Sequence, residues 1–418
     1  MEMFNIALRN VFRNPRRTAL NLVAIGLGVT IILTMKGWVG GLSTSAYQTQ
    51  IDLDTAHVQV LDSRYQEEAR RLPLDLRLRN WPAVKAALAE LPDLVGAGPR
   101  LDFAAQISNG ETALTTSVRG VEPADEAKTN TVAQQITLGT WLTGDNQVVL
   151  GSGLARKLNL NVGDQVFLTA LDQYGVRNLV DASVAGIFTT GYGIFDDAVV
   201  YTSLKKAQDT LDLGPGDATR LVLRFRNTDN LDRDVARVKA ALEKAGLVRS
   251  GDSSLSVYPW REFAKGLVDT IESRVALMMA GLGLLVVLVT IGILNSMSMA
   301  VQERFQEIGT LRAIGMNRRR LSQMFLLEGF CLGLAGGLIG MTAAALLAWV
   351  GVTYGVDARG FLPREVPVPL VTVLRPTYWI TDFPLAALAA AGLATLGSLL
   401  PARRAGQMVI RDVLGTHV

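Results

Sequence analysis

Side chains able to do covalent, acid–base or metal chemistry are sparse in these 418 residues and lie far apart. His57 and His417 are the two histidines, Cys331 is the one cysteine, and the acidic pair Asp196-Asp197 follows "GYGIF". A metal centre needs three or four converging ligands, and a nucleophile needs a base within hydrogen-bond reach; the sequence offers neither spacing. Asp196-Asp197 therefore reads as turn chemistry. No GxxxxGK[ST] occurs, and the glycine-rich "GLAGGLIG" at 333–340 sits inside an apolar run, where it cannot cradle phosphate. The expectation is a chain with no catalytic residue, no metal and no cofactor of its own.

Charge with a helical period is concentrated in "ERFQEIGTLRAIGMNRRRLSQMFLLEGF", from Glu303 to Phe330. Phe305, Ile308, Leu311 and Ile314 recur every three positions, while Glu303, Arg304, Glu307 and Arg312 point elsewhere. Gly315 with Asn317 can end that helix, and Arg318 to Arg320 begin the next. On pattern alone this is a short amphipathic helix capping a hairpin, or the charged interfacial turn that any polytopic membrane protein needs.

Four apolar runs set the context: Thr18 to Met35, Val275 to Ser298, Phe330 to Val350 and Phe383 to Leu400. Each is long enough to cross a hydrocarbon core of about 30 Å, which takes roughly 20 helical residues. With 49% hydrophobic residues but a mean hydropathy of only +0.27, the chain must also carry a water-exposed part. The first run, preceded by Arg9, Arg13, Arg16 and Arg17 and followed by Ser43-Thr44-Ser45-Ala46, also has the layout of a cleavable signal peptide. Counting it as a span lets the charges balance. Arginines crowd the N-terminus, the 299–323 segment and Arg403, Arg404 and Arg411, which places all three on the cytoplasmic side of an inner membrane and both termini inside. The net charge of +3 then needs no nucleic acid. Cys331 has no partner for an intrachain disulfide.

The expected organisation is an amphipathic N-terminal helix at 1–17, with Phe4, Ala7, Leu8, Val11 and Phe12 on one face, and spans at 18–39, 273–299, 324–352 and 383–402. A cytoplasmic helix and turn occupy 300–323, a loop 353–382 and a tail 403–418. The fold class is membrane α-helical, with a large extracytoplasmic α/β domain at 40–272 between the first two helices. In that domain "HVQV", "TALTTSVRGV", "NQVVLG", "VGDQVFL", "ASVAGIF", "AVVYT" and "RLVLRF" read as strands. "WPAVKAALAEL", "GLARKLNL", "SLKKAQDTLDL" and "LDRDVARVKAALEKAG" read as helices. Trp260, Phe263, Leu267, Ile271 and Val275 carry helical spacing into the second span, and Gly40-Gly41 loosens the join after the first, so two stalk helices are expected. Gly333 with Gly337, and Gly336 with Gly340 and Ala344, form ridges for close helix packing in lipid. Glu328 is expected at the membrane interface.

"ER…EIG.LRAIG" followed by "FLLEG", together with "RNVFRNPRRTAL…LGV" and the terminal "LLPARRA…VL", resembles the FtsX-like permease family, the membrane subunits of MacB-type (type VII) ABC transporters. "VVLGSGLARKLNLNVGDQVFL" and "GIFTTGYGIFDDAVVYTSLKKAQ" look most like its lipoprotein-releasing LolC/LolE-type members. The resemblance implies a separate ABC ATPase in two copies, holding ATP and Mg, and a second permease that is identical or a paralogue. It also implies a lipid or lipoprotein-like substrate and a periplasmic partner. Glu303, Arg304, Phe305, Glu307, Ile308, Leu311, Arg312, Ile314 and Gly315 would dock in a groove of the ATPase, whose closure moves the helix. The sequence departs from the pattern of the family it resembles in two places. The hook-like hairpin of chaperone-recruiting members has no room in "LTALDQYGVRNLVDASV", and a proline of the C-terminal motif is replaced near Ile410. Lipid-anchored cargo would leave the bilayer sideways between the first two spans, past Leu33, Trp38 and Leu42 on one side and Leu267, Ile271, Met278 and Leu282 on the other. The alternatives are an FtsX-like signal transmitter that activates a cell-wall hydrolase, and a MacB-like drug or toxin exporter.

Overall fold

A computed structural model describes residues 15–226, 230–247, 255–357 and 373–407. The amphipathic segment around Phe4–Phe12, Ile410 and His417 lie outside the described residues. The described residues form two compact units: one holds Pro15–Thr44, Ile271–Val356 and Val373–Gln407, and the other lies within Ser45–Thr270 and includes Asp357.

The first unit is a helical bundle of α1 (Pro15–Gln50), α2 (Lys265–Glu303), α3 (Phe305–Ala313), α4 (Arg318–Tyr354), α5 (Asp382–Gly397) and α6 (Leu399–Gln407). Among the described residues, four stretches are long and apolar enough to span a membrane: α1 with its extension to Thr55, α2, α4, and α5 with α6. Contrary to the sequence expectation, α1 runs unbroken through Gly40-Gly41. These glycines serve close approach. A Cβ on Gly41 would lie 2.9 Å from Pro376 Cα, and the Thr377 N–H donates to Gly37 O at 2.9 Å. The fourth span is broken at buried Ser398.

Glycine also sets the bundle centre. A Cβ on Gly333 would lie 2.5 Å from Ala394 Cβ, and one on Gly337 would lie 2.9 Å from Ala387 O, so α4 and α5 touch almost backbone to backbone. On its other side α4 meets α1, where a Cβ on Gly336 would lie 2.8 Å from Ile25 Cβ and one on Gly340 would lie 2.7 Å from Val29 Cβ. Helix α2 is different. Its lower half contributes buried Ile293, Met297 and Val301 to the bundle core, whereas Leu277, Leu284, Val287 and Leu288 are more than half exposed.

The second unit is built on a ten-stranded sheet. Its strands are β1 (Val58–Leu61), β2 (Leu94–Ser108), β3 (Ala113–Val121), β4 (Ile136–Gly139), β5 (Gln147–Gly151), β6 (Gln165–Leu171), β7 (Arg177–Phe188), β8 (Val199–Ser203), β9 (Arg220–Phe225) and β10 (Ser256–Pro259). The order is β10-β1-β9-β2-β3-β8-β5-β7-β4, with β6 bridging β2 and β7. The β3–β8 and β5–β7 pairs are parallel. Strand β2, the longest, is absent from the sequence reading because Gly96, Gly98 and Pro99 interrupt its pattern. Those glycines admit the helix Pro123–Thr129: a Cβ on Gly96 would fall 2.8 Å from Lys128 Cβ, and one on Gly98 would fall 3.2 Å from Thr129 Oγ1. The helices Trp81–Leu88 and Leu231–Lys244 begin where expected, capped by Asn80 and Asn230, and cover a core of Val58, Val60, Leu221 and Leu223. The β6–β7 hairpin closes tightly, with the Asp172 N–H donating to Val176 O at 2.9 Å and Gly175 at φ +80°. No hook extends from it.

Candidate functional site

Helix α3 begins beside Arg304, whose side chain turns inward: its Nη1 donates to Glu328 Oε2 of α4 at 3.2 Å, and both side chains are buried. The ion pair explains how α4 tolerates a buried carboxylate at Glu328. Ile308 is 1% exposed and joins Leu321, Phe325, Val301, Ala402 and Ala405 in the bundle's own core. Arg312 Nη1 donates to Gly406 O at 3.3 Å, and Arg17 pairs with Glu303 at 2.9 Å. The apolar ridge is therefore divided: Phe305 and Leu311 are half-buried, Glu307 is exposed, and Ile314 is 80% exposed just before Gly315 at φ +101°. Arg304 and Ile308 hold the helix to its own chain, which corrects their expected outward placement. The surface left for a partner is Glu303, Glu307 and Ile314, with the edges of Phe305 and Leu311.

A second constellation has no counterpart in the sequence reading. Where α1 ends, Ile51–Thr55 winds as one π-turn, Ala56 takes φ +50°, and β1 begins. The turn lowers Asp52 and Asp54 into a nest of arginines carried by β2, β3 and β9. Asp52 pairs with Arg224 at 2.5 Å, and its carbonyl accepts from the Thr131 N–H at 2.9 Å. Asp54 is bound by Arg119, with Arg220 at 3.9 Å, while Arg100 donates to the Asp54 carbonyl. Behind them Arg220 meets Asp102 at 2.7 Å, and Arg100 meets Glu126 at 2.7 Å, the last pair fully buried. Burial pushes the Asp54 carboxyl up, but the guanidiniums of Arg119, Arg220 and Arg100 outweigh it and hold it at about 2. An arginine nest of this kind does no proton chemistry; it fixes a backbone. The legible signal was the Asp52/Asp54 pair just after an apolar helix, with arginines inside strand patterns such as "RLVLRF".

Next to this socket, Trp260, Ala264, Leu267 and Val268 pack on Ile51 and Tyr47, whose ring lies 5.3 Å from that of Trp260. His57 is buried, and its Nδ1 accepts from the Phe225 N–H at 3.0 Å. Burial and the nearby Arg224 lower its pKa to about 4, against the pull of Asp52. Asp196 accepts from the Thr190 N–H and hydroxyl at 3.0 and 2.7 Å, and Asp197 pairs with Lys157. These are turn and surface roles. Among the described residues no cluster of His, Cys, Asp or Glu could hold a metal.

The seven residues expected to wall a cleft are not gathered into one lining. Leu33 is 2% exposed in the bundle core with Val29, Ala344 and Ala390, and Trp38 lies against Gly351 of α4. Leu267 packs in the other unit and Ile271 is buried, while Leu42, Met278 and Leu282 are open or half-open. The bundle instead encloses an apolar cavity of about 160 Å³ between α1, α2 and α5, lined by Ile25, Gly28, Ile32, Val286, Val289 and Ala386 among others.

Comparison with known proteins agrees with this architecture. The profile of the MacB-like periplasmic core domain matches residues 18–241, and that of the FtsX-like permease C-terminal region matches 279–410. The lipoprotein-releasing system transmembrane protein LolE of Haemophilus influenzae is 23% identical over 94% of this chain and 93% of its own length. The macrolide export ATP-binding/permease protein MacB of Hyphomonas neptunium is 24% identical over 97% of this chain and 59% of its own. Among solved structures, the periplasmic region of MacB from Actinobacillus actinomycetemcomitans aligns with 54% of this chain and 97% of that one, at 11% identity and a TM-score of 0.38. The chain belongs to the family of MacB-like, FtsX-like permeases and is a membrane subunit of an ABC transporter of this type.

Proposed function

We propose that this permease works with two copies of a separate ATPase, which hold ATP and Mg, and with a second permease, identical or a paralogue. Together they would extract a lipid-anchored or amphipathic substrate from the outer leaflet. The carrying observation is the attachment of α3: the buried Arg304–Glu328 pair and Ile308 fasten it to the bundle, while Glu307 and Ile314 stay exposed. A helix held on one side and open on the other can be gripped by a partner and pass movement to the helices it is fastened to. In this reading the termini and α3 face the cytoplasm, since the arginines at 16–17, 318–320 and 403–404 gather there. The apolar cavity between α1, α2 and α5 is the place for an acyl chain, each buried methylene contributing about 0.8 kcal/mol. The tight β6–β7 hairpin argues for release without chaperone docking at that point.

Copurification tests the docking. Ile314→Asp alters an exposed side chain, so the permease should fold and reach the membrane but lose its ATPase. If the variant retains the ATPase at full stoichiometry, α3 is not the docking element. An Asn317→Cys variant should react with an impermeant maleimide only after spheroplasts are lysed; labelling of intact spheroplasts would reverse the orientation.

A further inference from the structure

The start of α4 and helix α6 enclose an open cavity of about 570 Å³ that plays no part in the docking or extraction described above. Arg318, Arg319 and Arg403 line it, Ser322 lies between them, and Leu326 and Leu399 supply apolar wall. Its sides are fastened together: Ser322 Oγ donates to Ala402 O at 2.9 Å, and a Cβ on Gly406 would lie 2.7 Å from Ser322 Oγ. The lining holds no carboxylate, and among the described residues the three arginines have no acidic partner. Three fork-shaped cations around one cavity suit a phosphate diester.

The setting selects its source. Helix α4 and the α5–α6 stretch are both candidate spans, so the cavity lies where two spans end and charge meets hydrocarbon. A free phosphate would use the arginines and leave Leu326 and Leu399 wet. A phospholipid uses both, with its phosphate between the guanidiniums and its glycerol and first methylenes on the leucines. The volume is in the range of small-molecule sites, roughly 300–1,000 Å³. We infer that this cavity binds the head group of an anionic phospholipid of the cytoplasmic leaflet; the leaflet, though not the lipid chemistry, rests on the orientation proposed above.

Native mass spectrometry of the detergent-solubilised complex, titrated with phosphatidylglycerol or phosphatidylcholine, tests it. The variant R318Q/R319Q/R403Q should weaken phosphatidylglycerol binding at least tenfold and leave phosphatidylcholine adducts unchanged. The variant R16Q/R320Q/R404Q removes the same charge outside the cavity and should change binding less than twofold. Equal weakening in both variants would reduce the site to general surface charge. Full displacement of phosphatidylglycerol from the wild type by equimolar inorganic phosphate would make it a phosphate site and overturn the lipid assignment. Loss of the ATPase from the first variant with lipid binding intact would make the cavity a protein contact instead. Photocrosslinking needs no substitution: a diazirine phosphatidylglycerol should label Leu326 or Leu399, and labelling confined to other segments overturns the proposal. An Arg319→Cys variant that reacts with impermeant maleimide in intact spheroplasts would overturn the leaflet and the orientation beneath it, while the lipid titration would still stand.

Discussion

Arg304 reaches Glu328 across 3.2 Å, and both side chains are more than nine-tenths buried. One end of α3 is thereby tied to the middle of α4's first turns by charge, where Ile308 ties it by packing. Removing one partner leaves the other charge buried without its counter-ion, so Arg304→Met or Glu328→Leu should cost about 3–5 kcal/mol, whereas the apolar double variant R304M/E328L should recover most of the loss. Thermal unfolding of the four members of this cycle checks it; additive losses would show that the two residues do not act as a pair.

Asp54 holds the C-terminal end of α1 in the arginine nest of β2, β3 and β9. Asp54→Asn keeps the shape and removes the charge, leaving Arg119 and Arg220 to repel each other around a neutral amide. ATP turnover by the complex should persist within about threefold, while substrate release falls at least tenfold, about 1.4 kcal/mol of coupling. Parallel loss of both activities would mean that the socket only stabilises the fold.

His57 is kept neutral: its pKa falls to about 4 from an ordinary 6.5, because burial and Arg224 disfavour the cation. The unfolded chain therefore binds a proton between these values that the folded domain refuses, and stability must rise with pH across that window. The span is worth about 3 kcal/mol, fully lost below pH 4. Asp54 acts with the same sign lower down, since its depressed carboxyl adds stability above about 3.8 that disappears as pH falls through 2. Denaturant unfolding followed by tryptophan fluorescence at pH 4.5 and 7 should show the first effect, and His57→Gln should flatten it.

Gly336 meets α1 at a point where an added Cβ would sit 2.8 Å from Ile25 Cβ, while Gly292 on α2 faces open space. Gly336→Val should cost about 1–3 kcal/mol through overpacking, and Gly292→Ala should be neutral or slightly stabilising. Melting temperatures of the solubilised chain decide between them; equal effects would remove the close-packing role of the α4 glycines.

Local pattern carried much of this structure into view. The four apolar runs, the turn at Gly315 and most strand segments follow from composition and period, because each is decided by residues near one another. Direction within α3 was not legible: Phe305, Ile308, Leu311 and Ile314 share a stripe, and only Leu321 and Phe325 of α4 reveal which part of it turns inward. The socket was hidden for the same reason, since Asp54 finds Arg119 and Arg220, 65 and 166 residues away, through sheet order alone. Strand β2 was lost because its glycines answer a helix lying on it, which no window around residue 96 contains.

Sheet order has a consequence for how the molecule is made. Strand β1, near the start of the extracytoplasmic domain, is flanked by β9 and β10, its partner residues being Leu223 and Pro259 for Val58. As the chain crosses the membrane from its N-terminal end, β1 emerges first and must wait for almost all the intervening sequence before either neighbour arrives. Closure of the sheet therefore falls just before α2 is handed to the bilayer, and until then a strand of four wholly buried residues has both edges bare. Such a strand is a ready template for mispairing. Cells making this permease should depend on extracytoplasmic folding helpers during that interval, and a stall in translocation between residues 61 and 220 should leave the chain exposed to proteolysis.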